Sequence, residues 1–320
     1  MIWVDRYQWP QRISFTSPIR DGITLEMSHA YANADGSPYT GMEIPAAGTP
    51  GFNLATVNVA YWLGREPRFY TDVLYNGKKH PIYSLNTEID RENFRWWKFA
   101  GEANSPFYNC EILNALGQNH IKMADTDINE TINDGNYSGV DWPVICYAEV
   151  LLNLAECAAK TGKEAEALDI LTQIRKRAGI PQGGNNYGIG TSTGDALILA
   201  ILNERRIELA FEGFRFWDVR RWRLFTDELA GYKINGLVRH TLKPRPKVEI
   251  DLEVVGTIDE NDPVTYFAVF DNEIHAMDAS PFSVSERQYF YRIAYEEYVR
   301  KNPNLQQTNG WQDGSFNPYE

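Results

Sequence analysis

The stretch that decides the fold is "NERRIELAFEGFRFWDVRRW", which runs from Asn203 to Trp222 and mixes charged side chains with large apolar ones. This mixture is typical of a helix that neighbouring elements largely cover. Charged groups in such a place must be paired, because burying a lone charge is costly. The sequence therefore predicts that these charges hold a helical scaffold together.

Opposite charges in this stretch recur at a spacing that predicts ion pairs. The pairs three residues apart are Arg205 with Glu208, Glu212 with Arg215, and Asp218 with Arg221. Residues at this spacing lie on one face of a helix, where their side chains meet. We also expect arginines of this stretch to reach Glu149 and Glu156 in the preceding helical segment, because a guanidinium can hold a carboxylate through two hydrogen bonds.

A catalytic interpretation of the same stretch is disfavoured by the spacing. Glu204, Glu208 and Glu212 lie four residues apart and therefore on a single helix face. The two carboxylates of a glycosidase flank a sugar ring and usually come from different elements. The sequence favours a structural role for these carboxylates.

Composition excludes several classes of protein. The 320 residues are 43% hydrophobic and 13% aromatic, which is enough to bury a core and is unlike a disordered chain. A net charge of −12 argues against nucleic-acid binding, because phosphate contacts need a basic surface. The three cysteines form no disulfide framework and are interpreted as small core residues. No stretch reaches the roughly 18 apolar residues of a membrane helix.

Residues 141–181 have the periodicity of a helical hairpin. Their apolar residues recur at helical spacing in two runs, with Thr161 and Gly162 between the runs and Gly179 and Pro181 after the second. Several residues fall where a tetratricopeptide unit places its interlocking side chains. These are Leu151, Leu154, Ala155, Ala158, Ala167, Leu171 and Ile174. The predicted fold is mainly α, with tetratricopeptide-like helical hairpins, long loops and small β-hairpins.

Other segments give weaker structural signals. A long helix is expected from about Asp195, whose side chain suits a helix N-cap, and the helical scaffold spans 141–230. "KVEIDLEVV" and "TYFAVF" are rich in strand-forming residues and predict a β-hairpin insertion at about 239–275. "PRFYTDVLYNGKKHPIYSL" alternates in places and predicts extended structure.

Six motifs resemble the SusD/RagB family of outer-membrane nutrient-binding lipoproteins. "ERRIELAFEGFRFWDVRRW" is similar to that family's signature ER-x-E-L-x-x-E-G-x-R-x-x-D-x-x-R-W. The others are "PVICYAEVLLNLAEC", "IRKRAGIP", "EPRFYTDVLYNG" (a D-P-R-F strand in the family), "ITLEMSHAYANADG" and the chain end "NPNLQQTNGW". The order of these matches is the family's own, from about residue 20 to residue 311. Two departures stand out: Cys146 replaces a frequent arginine, which removes one expected buried ion pair, and "YRIAYEEY" replaces a Pro-Ile-Pro turn.

The resemblance implies that the chain corresponds to the C-terminal half of such a protein. Family members are longer, and their N-terminal half carries the signal peptide, the lipidated cysteine and the first tetratricopeptide helices. Residues 1–18 are then the remnant of a preceding segment, and 19–320 form the SusD/RagB-like C-terminal domain. Helices that would pack on 143–178 lie outside this chain, so we expect an apolar surface there that is exposed or covered by a partner.

The resemblance also implies a function. Such proteins are not enzymes, need no cofactor, and lie on the cell surface at the outer membrane, where a lipid anchor that is not part of this chain holds them. They capture oligosaccharides or peptides and deliver them to a SusC-type TonB-dependent transporter. The family motifs are scaffold rather than ligand contacts, so the ligand site must be sought elsewhere.

Carbohydrate binds by stacking its apolar faces on aromatic rings, and the chain has nine Trp and eighteen Tyr. Trp96 and Trp97 in "RENFRWWKF" are the first candidates, because adjacent residues of an extended segment point to opposite faces. One ring is then in the core and the other is exposed. Tyr31, Tyr39 and Trp62 are further candidates. For each ring, packing within the scaffold is the competing interpretation.

A metal site is not expected. "DTDINETINDGN" begins like a calcium loop, with Asp125, Asp127 and Asn129 at ligand positions 1, 3 and 5. Position 6 is Glu130 rather than glycine, and position 12 is Asn136 rather than a bidentate glutamate. These three residues are therefore weak candidates, and an acidic solvated loop is the favoured interpretation.

Two other functions remain open from the sequence. The first is a peptide-binding tetratricopeptide module, although only one hairpin fits that pattern and an array needs about three stacked repeats. The second is a glycoside hydrolase with an acid/base pair from Asp72, Glu88, Asp90 and Glu102, whose mutual spacing nothing in the sequence fixes.

Overall fold

The computed structural model describes residues 3–5, 23–41, 55–56, 59–75, 78, 98–99, 118–122, 142–226, 235–242, 259, 261–276, 284–312 and 314–317. The described chain is mainly helical with small sheets, as the sequence predicts. Its helices are α1 (Leu25–Ala30), α2 (Pro67–Asp72), α3 (Tyr147–Lys160), α4 (Glu164–Arg177), α5 (Gly194–Glu208), α6 (Phe214–Arg221) and α7 (Pro263–Val269). A 3-10 helix (Glu286–Tyr289) and a π-helical turn (Tyr295–Val299) follow.

Within the described residues the strands are short and form four small sheets. They are β1 (Trp3–Asp5), β2 (Ala55–Thr56), β3 (Val73–Leu74), β4 (Lys98–Phe99), β5 (Asn119–His120), β6 (Trp142–Ile145), β7 (Asn235–Leu242), β8 (Phe270–Ala276), β9 (Gln307–Thr308) and β10 (Gly314–Phe316). The largest sheet has the order β2-β8-β7-β4, and the pairs β1-β6, β3-β5 and β9-β10 form the other three.

The predicted helical hairpin is formed by α3 and α4. Gly162 adopts a positive φ of 80° in the turn between them, a conformation that glycine reaches without a steric penalty. Ala155, Ala158 and Ala167 are buried between the helices, and their small size lets the two backbones approach. Leu154 differs from the expectation, because its side chain points to solvent rather than into the hairpin.

The stretch Asn203–Trp222 forms two helices rather than one continuous helix. α5 ends at Glu208 and α6 begins at Phe214, and between them Phe211 and Gly213 have φ values of +65° and +83°. Left-handed backbone of this kind cannot continue a right-handed helix. At the other end of α5 the N-cap is Thr193, and the predicted cap residue Asp195 instead lies in the first turn.

The segment 23–75 packs two short helices against the scaffold. Thr24 caps α1, with its Oγ1 accepting a hydrogen bond from the Met27 amide at 3.2 Å. Pro67 occupies the first turn of α2, where its fixed φ favours a helix and its missing N–H costs nothing. The prediction of extended structure for "PRFYTDVLYNGKKHPIYSL" is therefore wrong for Pro67–Asp72 and right for Val73–Leu74, and most of the rest of this segment lies outside the described residues.

The insertion near the C-terminus contains an antiparallel pair, although not from the strands expected. β7 and β8 pair with Leu242 opposite Phe270. "TYFAVF" belongs mostly to α7, because the Asp262 side chain accepts from the Val264 amide at 3.0 Å and Pro263 is the first helical residue. The other expected strand, "KVEIDLEVV", lies outside the described residues.

Two hydrophobic clusters form the main core, and α5 contributes to both. The first consists mainly of residues from segment 23–75, such as Trp62 and Phe69, together with Tyr266 of α7 and Ile207 of α5. The second joins the inner faces of α3 and α4 to Leu197, Ile201 and other residues of α5. The last turns of α5 therefore lie where the two clusters meet.

Two loops cross at a pair of glycines beside this junction. Gly188 has a φ of +76°, and a Cβ atom there would lie 2.1 Å from the carbonyl oxygen of Gly36. The Arg175 Nη1 donates to the carbonyls of Gly36, at 3.2 Å, and Tyr187, at 2.9 Å. Neither glycine position tolerates a side chain, because the two backbones are in direct contact.

We predict that Gly188→Ala lowers the free energy of unfolding by about 2–4 kcal/mol. The new Cβ atom would clash with the Gly36 backbone, and alanine would be strained in the left-handed conformation of this position. Gly184→Ala in the same loop is the matched control. A Cβ atom at Gly184 meets nothing within 4 Å, so we expect a change within about 0.5 kcal/mol. Urea unfolding of both variants measures the difference in their free energies of unfolding. Equal stabilities would contradict the close backbone contact between Gly36 and Gly188.

Candidate functional site

Glu204 on α5 is the centre of a buried charge network. Its side chain is fully covered, and it accepts from Arg68 Nη1 at 2.6 Å and from Arg175 Nε at 2.8 Å. Burial by itself raises the pKa of the Glu204 carboxyl, but Arg68 and Arg175 together hold that pKa below its ordinary value. The carboxylate is therefore ionised and bridges α2 to α4.

Arg68 extends this network by one turn along the same face of α5. It contacts Glu66 at 2.7 Å and Glu208 at 3.0 Å, in addition to Glu204. Glu208 also pairs with Arg177 at the end of α4. Glu204 and Glu208 are one helical turn apart, so both reach the same guanidinium.

A second network joins α5, α6 and α3. Arg205 Nε donates to the buried Asp218 at 2.9 Å, and Arg205 Nη1 donates to Asn153 Oδ1 at 2.6 Å. Arg221 contacts Asp218 at 2.9 Å and also pairs with Glu156 of α3. These bonds fix α6 on the hairpin.

The structure joins only part of the charges at the spacing expected from the sequence. Asp218 and Arg221 are paired, whereas Arg205 bonds to Asp218 rather than to Glu208. Glu212 bonds to Lys122 at 2.7 Å, and Arg215 is a half-buried residue of α6. The break after Glu208 ends the regular helical spacing before Glu212, and it turns the next helix back so that its Asp218 reaches Arg205.

Arg65 is buried among backbone carbonyls of segment 23–75. It donates to the carbonyl oxygens of Tyr61 at 2.7 Å, Ser28 at 2.5 Å, Tyr31 at 2.8 Å and Ala32 at 3.5 Å. Its guanidinium carbon lies 3.7 Å from the centre of the Tyr39 ring. Burial lowers the pKa of Arg65 to about 10, so it remains charged at neutral pH.

The aromatic residues proposed for glycan binding have different placements. Tyr31 and Trp62 are buried in the first cluster, where Tyr31 donates to Asp72 at 2.9 Å and Trp62 stacks on Tyr75. A covered ring has no face for a sugar, so this placement removes both from the proposed platform. Tyr39 is half-buried with one face against Arg65. Trp96 and Trp97 lie outside the described residues.

The proposed acidic candidates are also mostly outside the described part of the chain. Glu88, Asp90 and Glu102 lie there, as do Asp125, Asp127 and Asn129 of the calcium-like loop. Asp72 is described and buried, and burial raises the pKa of its carboxyl. It accepts from the Tyr31 hydroxyl and faces the core rather than solvent. Within the described ranges, no group of three or more His, Cys, Asp or Glu residues has the arrangement of a metal site.

An exposed group of aromatic rings surrounds Arg220, and we call it the Arg220 cluster. Phe216, Trp217 and Tyr291 are 45%, 56% and 65% exposed. The Arg220 guanidinium lies 4.2 Å from the centre of the Tyr291 ring and 5.6 Å from that of Phe216, and the Phe216 and Trp217 rings meet edge to face at 5.1 Å. Sequence reasoning missed this cluster. Its only local signal is the four-residue spacing of Phe216 and Arg220, since Tyr291 comes from a distant segment.

A cavity of about 500 Å³ lies beside Cys146, at the position where the resembled motif often has arginine. Its wall includes Lys122, Arg177, Glu208 and Glu212. Burial raises the pKa of the Cys146 thiol above its ordinary value, which favours the protonated form of the thiol. The shorter side chain leaves open the space next to the two carboxylates.

The comparisons with known proteins identify the family. The family model described as "SusD family" matches residues 19–311. The chain belongs to the SusD family. A SusD-like protein from Bacteroides fragilis of known structure has a TM-score of 0.61 and 25% sequence identity, and the overlay covers 91% of this chain and 47% of that protein.

Two further proteins to which this chain is similar are also described as SusD-like. SusD-like protein P38 of Formosa agariphila is 26% identical over 253 residues, which covers 73% of this chain and 47% of that protein. A second Bacteroides fragilis structure, described as a SusD-like carbohydrate binding protein, has a TM-score of 0.52 at 22% identity and shows the same fold. Its overlay covers 88% of this chain and 48% of that one. The chain thus spans about half the length of these relatives. No helix in the described segments is long and apolar enough to cross a membrane.

We predict that Glu204→Ala lowers the free energy of unfolding by about 3–5 kcal/mol, because it leaves Arg68 and Arg175 buried without their shared partner. The control is Glu296→Ala, which removes an exposed partner of Arg300 and is expected to cost at most about 0.5 kcal/mol. Thermal or urea unfolding compares them. A Glu204→Ala variant as stable as the control would show that the network is not structural.

The His29 side chain predicts a pH dependence of stability. Burial, and secondarily the charge of Arg65, lower the pKa of His29 to about 4, while an unfolded chain has the ordinary value of 6.5. The unfolded state therefore binds the proton more readily, and stability falls as pH decreases from about 6.5 towards 4. We expect His29→Gln to reduce this loss by on the order of 1 kcal/mol, because the half-buried ring is partly screened by solvent.

Urea unfolding of wild type and His29→Gln between pH 7 and 5 measures the effect. This interval lies above the ordinary pKa of a glutamate, so the carboxylates of the charge networks contribute little to the difference. Identical slopes for the two proteins would contradict the low pKa of His29.

Proposed function

We propose that this chain is a non-catalytic binding component that captures oligosaccharides at the cell surface and passes them to a SusC-type TonB-dependent transporter in the outer membrane. The observation that supports the proposal most strongly is the family match over residues 19–311. The carbohydrate ligand is supported by the relative described as a SusD-like carbohydrate binding protein, which has the same fold.

The described charges agree with a binding role better than with catalysis. Glu204, Glu208, Glu212 and Asp218 are each bonded to a cation, and the bonds of Glu204, Glu208 and Asp218 join helices to one another. Asp72 faces the core and bonds to Tyr31. Carboxylates committed in this way are not available to protonate a glycosidic oxygen or to activate water.

The ligand surface requires rigid aromatic faces next to hydrogen-bond donors. Trp96 and Trp97 remain the first candidates from the sequence. The Arg220 cluster adds a second, because its exposed rings offer apolar faces and its guanidinium carries several N–H donors for sugar hydroxyls. α6 holds Phe216 and Trp217 in place through the buried bond between Arg205 and Asp218, so little ordering is needed when a ligand binds.

The proposed delivery step sets the affinity that we expect. A protein that must release its ligand to a transporter benefits from weak binding, in the micromolar to millimolar range, or roughly −4 to −8 kcal/mol. Stacking on a few rings supplies binding of this order. In this proposal a lipid anchor holds the protein at the outer membrane.

We predict that calorimetric titration against a panel of oligosaccharides detects binding to the wild-type chain, and that replacing one ring lowers the affinity at least tenfold. The variants are Trp96→Ala, Trp97→Ala and Trp217→Ala. Loss of affinity in Trp96→Ala or Trp97→Ala identifies the pair as the platform, and loss in Trp217→Ala identifies the Arg220 cluster. Tyr298→Ala is the matched control, because it removes an exposed ring elsewhere on the surface and should leave the affinity unchanged.

Two outcomes oppose the proposal. If no oligosaccharide binds the wild-type chain at millimolar concentration, carbohydrate capture by this part of the protein is excluded. If an assay for reducing sugars detects turnover of a polysaccharide by the purified chain, and Glu or Asp substitutions abolish it, the non-catalytic assignment is wrong.

A further inference from the structure

The charge of Arg220 is held by aromatic rings rather than by a carboxylate. Its guanidinium carbon lies 4.2, 5.6 and 6.0 Å from the ring centres of Tyr291, Phe216 and Phe225. Within the part of the chain that the structure describes, no group accepts a hydrogen bond from it. The next residue differs, because carboxylates bind Arg221. A guanidinium that lies over a ring keeps N–H donors along its edge, and these donors are available to a ligand.

The two segments that form the Arg220 cluster are basic, whereas the whole chain is acidic. Residues 214–223 include four arginines and one aspartate, and residues 286–292 include two arginines and one glutamate. The aspartate is Asp218, which is buried and bonded to Arg205 and Arg221. The net charge of the chain is −12, so this local excess of positive charge is not a general property of the surface. A local excess of this kind attracts anionic ligands.

A small hydrophobic core fixes both sides of the cluster. Val219, Phe225 and Tyr289 are buried together, and the rings of Phe225 and Tyr289 stack with their centres 5.2 Å apart. Val219 directly precedes Arg220 on α6, and Tyr289 lies two residues before Tyr291. The core therefore holds the guanidinium and the exposed ring in a fixed relation, and little ordering is needed when a ligand binds.

We propose that the Arg220 cluster binds an acidic sugar residue of an oligosaccharide. The guanidinium holds the carboxylate or sulfate group of that residue, and the exposed rings of Tyr291 and Phe216 contact its apolar CH groups. The inference rests on the proposed function and adds the substrate class to it, namely acidic rather than neutral oligosaccharides.

The chemistry of the cluster favours this ligand over simpler ones. A guanidinium donates two parallel hydrogen bonds to an oxyanion, and hydrogen bonds of this charged kind are about twice as strong as those between neutral groups. A neutral sugar would leave the charge of Arg220 without a counterion. A free inorganic anion would leave the exposed rings without a contact. An acidic sugar residue satisfies both parts of the site.

Calorimetric titration with matched pairs of ligands tests the inference. One pair is an oligogalacturonate and its methyl ester, and the other is a sulfated oligosaccharide and its desulfated form. We expect the wild-type chain to bind at least one acidic member about tenfold or more tightly than its neutral counterpart. In Arg220→Gln we expect this preference to be lost while the affinity for the neutral member is kept. Lys176→Gln, which removes a positive charge from the exposed side of α4, is the matched control and should keep the preference.

Two further measurements keep the test decisive if Arg220→Gln is unstable. Arg220→Lys keeps the positive charge but loses the paired donors, so we expect a preference between those of wild type and Arg220→Gln. For the wild-type chain, raising NaCl from about 50 to about 500 mM should weaken binding of the acidic member and leave the neutral member unaffected, because salt screens charges. A preference that does not change with salt would contradict the role of the guanidinium.

The inference and the proposed function fail in different ways. If wild type binds both members of each pair equally, or if Arg220→Gln keeps the preference, the acidic site is overturned while oligosaccharide capture stands. If no oligosaccharide of either kind binds, the proposed function is overturned as well. Binding of vesicles that contain phosphatidylglycerol in an Arg220-dependent manner, without binding of either acidic oligosaccharide, would assign the cluster to a membrane surface and overturn the inference.

Discussion

The structure depends on the bond of one carboxylate to two arginines. Glu204 lies where the two hydrophobic clusters meet, and neither cluster alone fixes the other's orientation. Arg68 comes from the segment beside the first cluster and Arg175 from the hairpin of the second, so their shared partner sets the relation between the two. A hydrophobic contact would resist separation equally in many orientations. Two directed hydrogen bonds permit only one relative orientation of the clusters. Their cost is the burial of charges that must stay paired.

The helical part of the fold was predictable because its signal is local. Residues 147–177 carry an apolar repeat, a glycine turn and small residues at the contact, and the structure follows this pattern closely. For two other elements the sequence predicts strands where the structure has helices, and the cause is physical. In α2 and α7 a proline at the start of a helix outweighs side chains that favour strands, so residues 67–72 and 263–269 are helical. The break after Glu208 depends on a positive φ at Phe211, and phenylalanine is not a residue type that predicts this conformation.

The ion pairs show where sequence spacing stops being informative. The apolar neighbours of the charges in Asn203–Trp222 indicate that these charges are covered. Which residue pairs with each charge, however, is determined by tertiary contacts. Arg68 and Lys122 come from segments far from α5, and no spacing rule connects them to Glu204 or Glu212. Aromatic residues pose the same difficulty. Trp62 and Trp217 each follow an aromatic residue in the sequence, yet the ring of Trp62 is enclosed by Tyr75 and Tyr266 and the ring of Trp217 faces solvent.

Arg65 is recognised by carbonyl oxygens that every amino acid possesses. Its bonds to residues 28, 31, 32 and 61 therefore demand a particular path of the main chain but no particular side chain at those positions. Substitutions there need no compensating change at position 65 as long as the path is kept. Methods that infer proximity from correlated substitutions will therefore miss these four contacts, even though they join the end of α1 to the segment before α2. In this region of the fold, the backbone path can be conserved even when the sequences of relatives carry no correlated substitutions at the contacting positions.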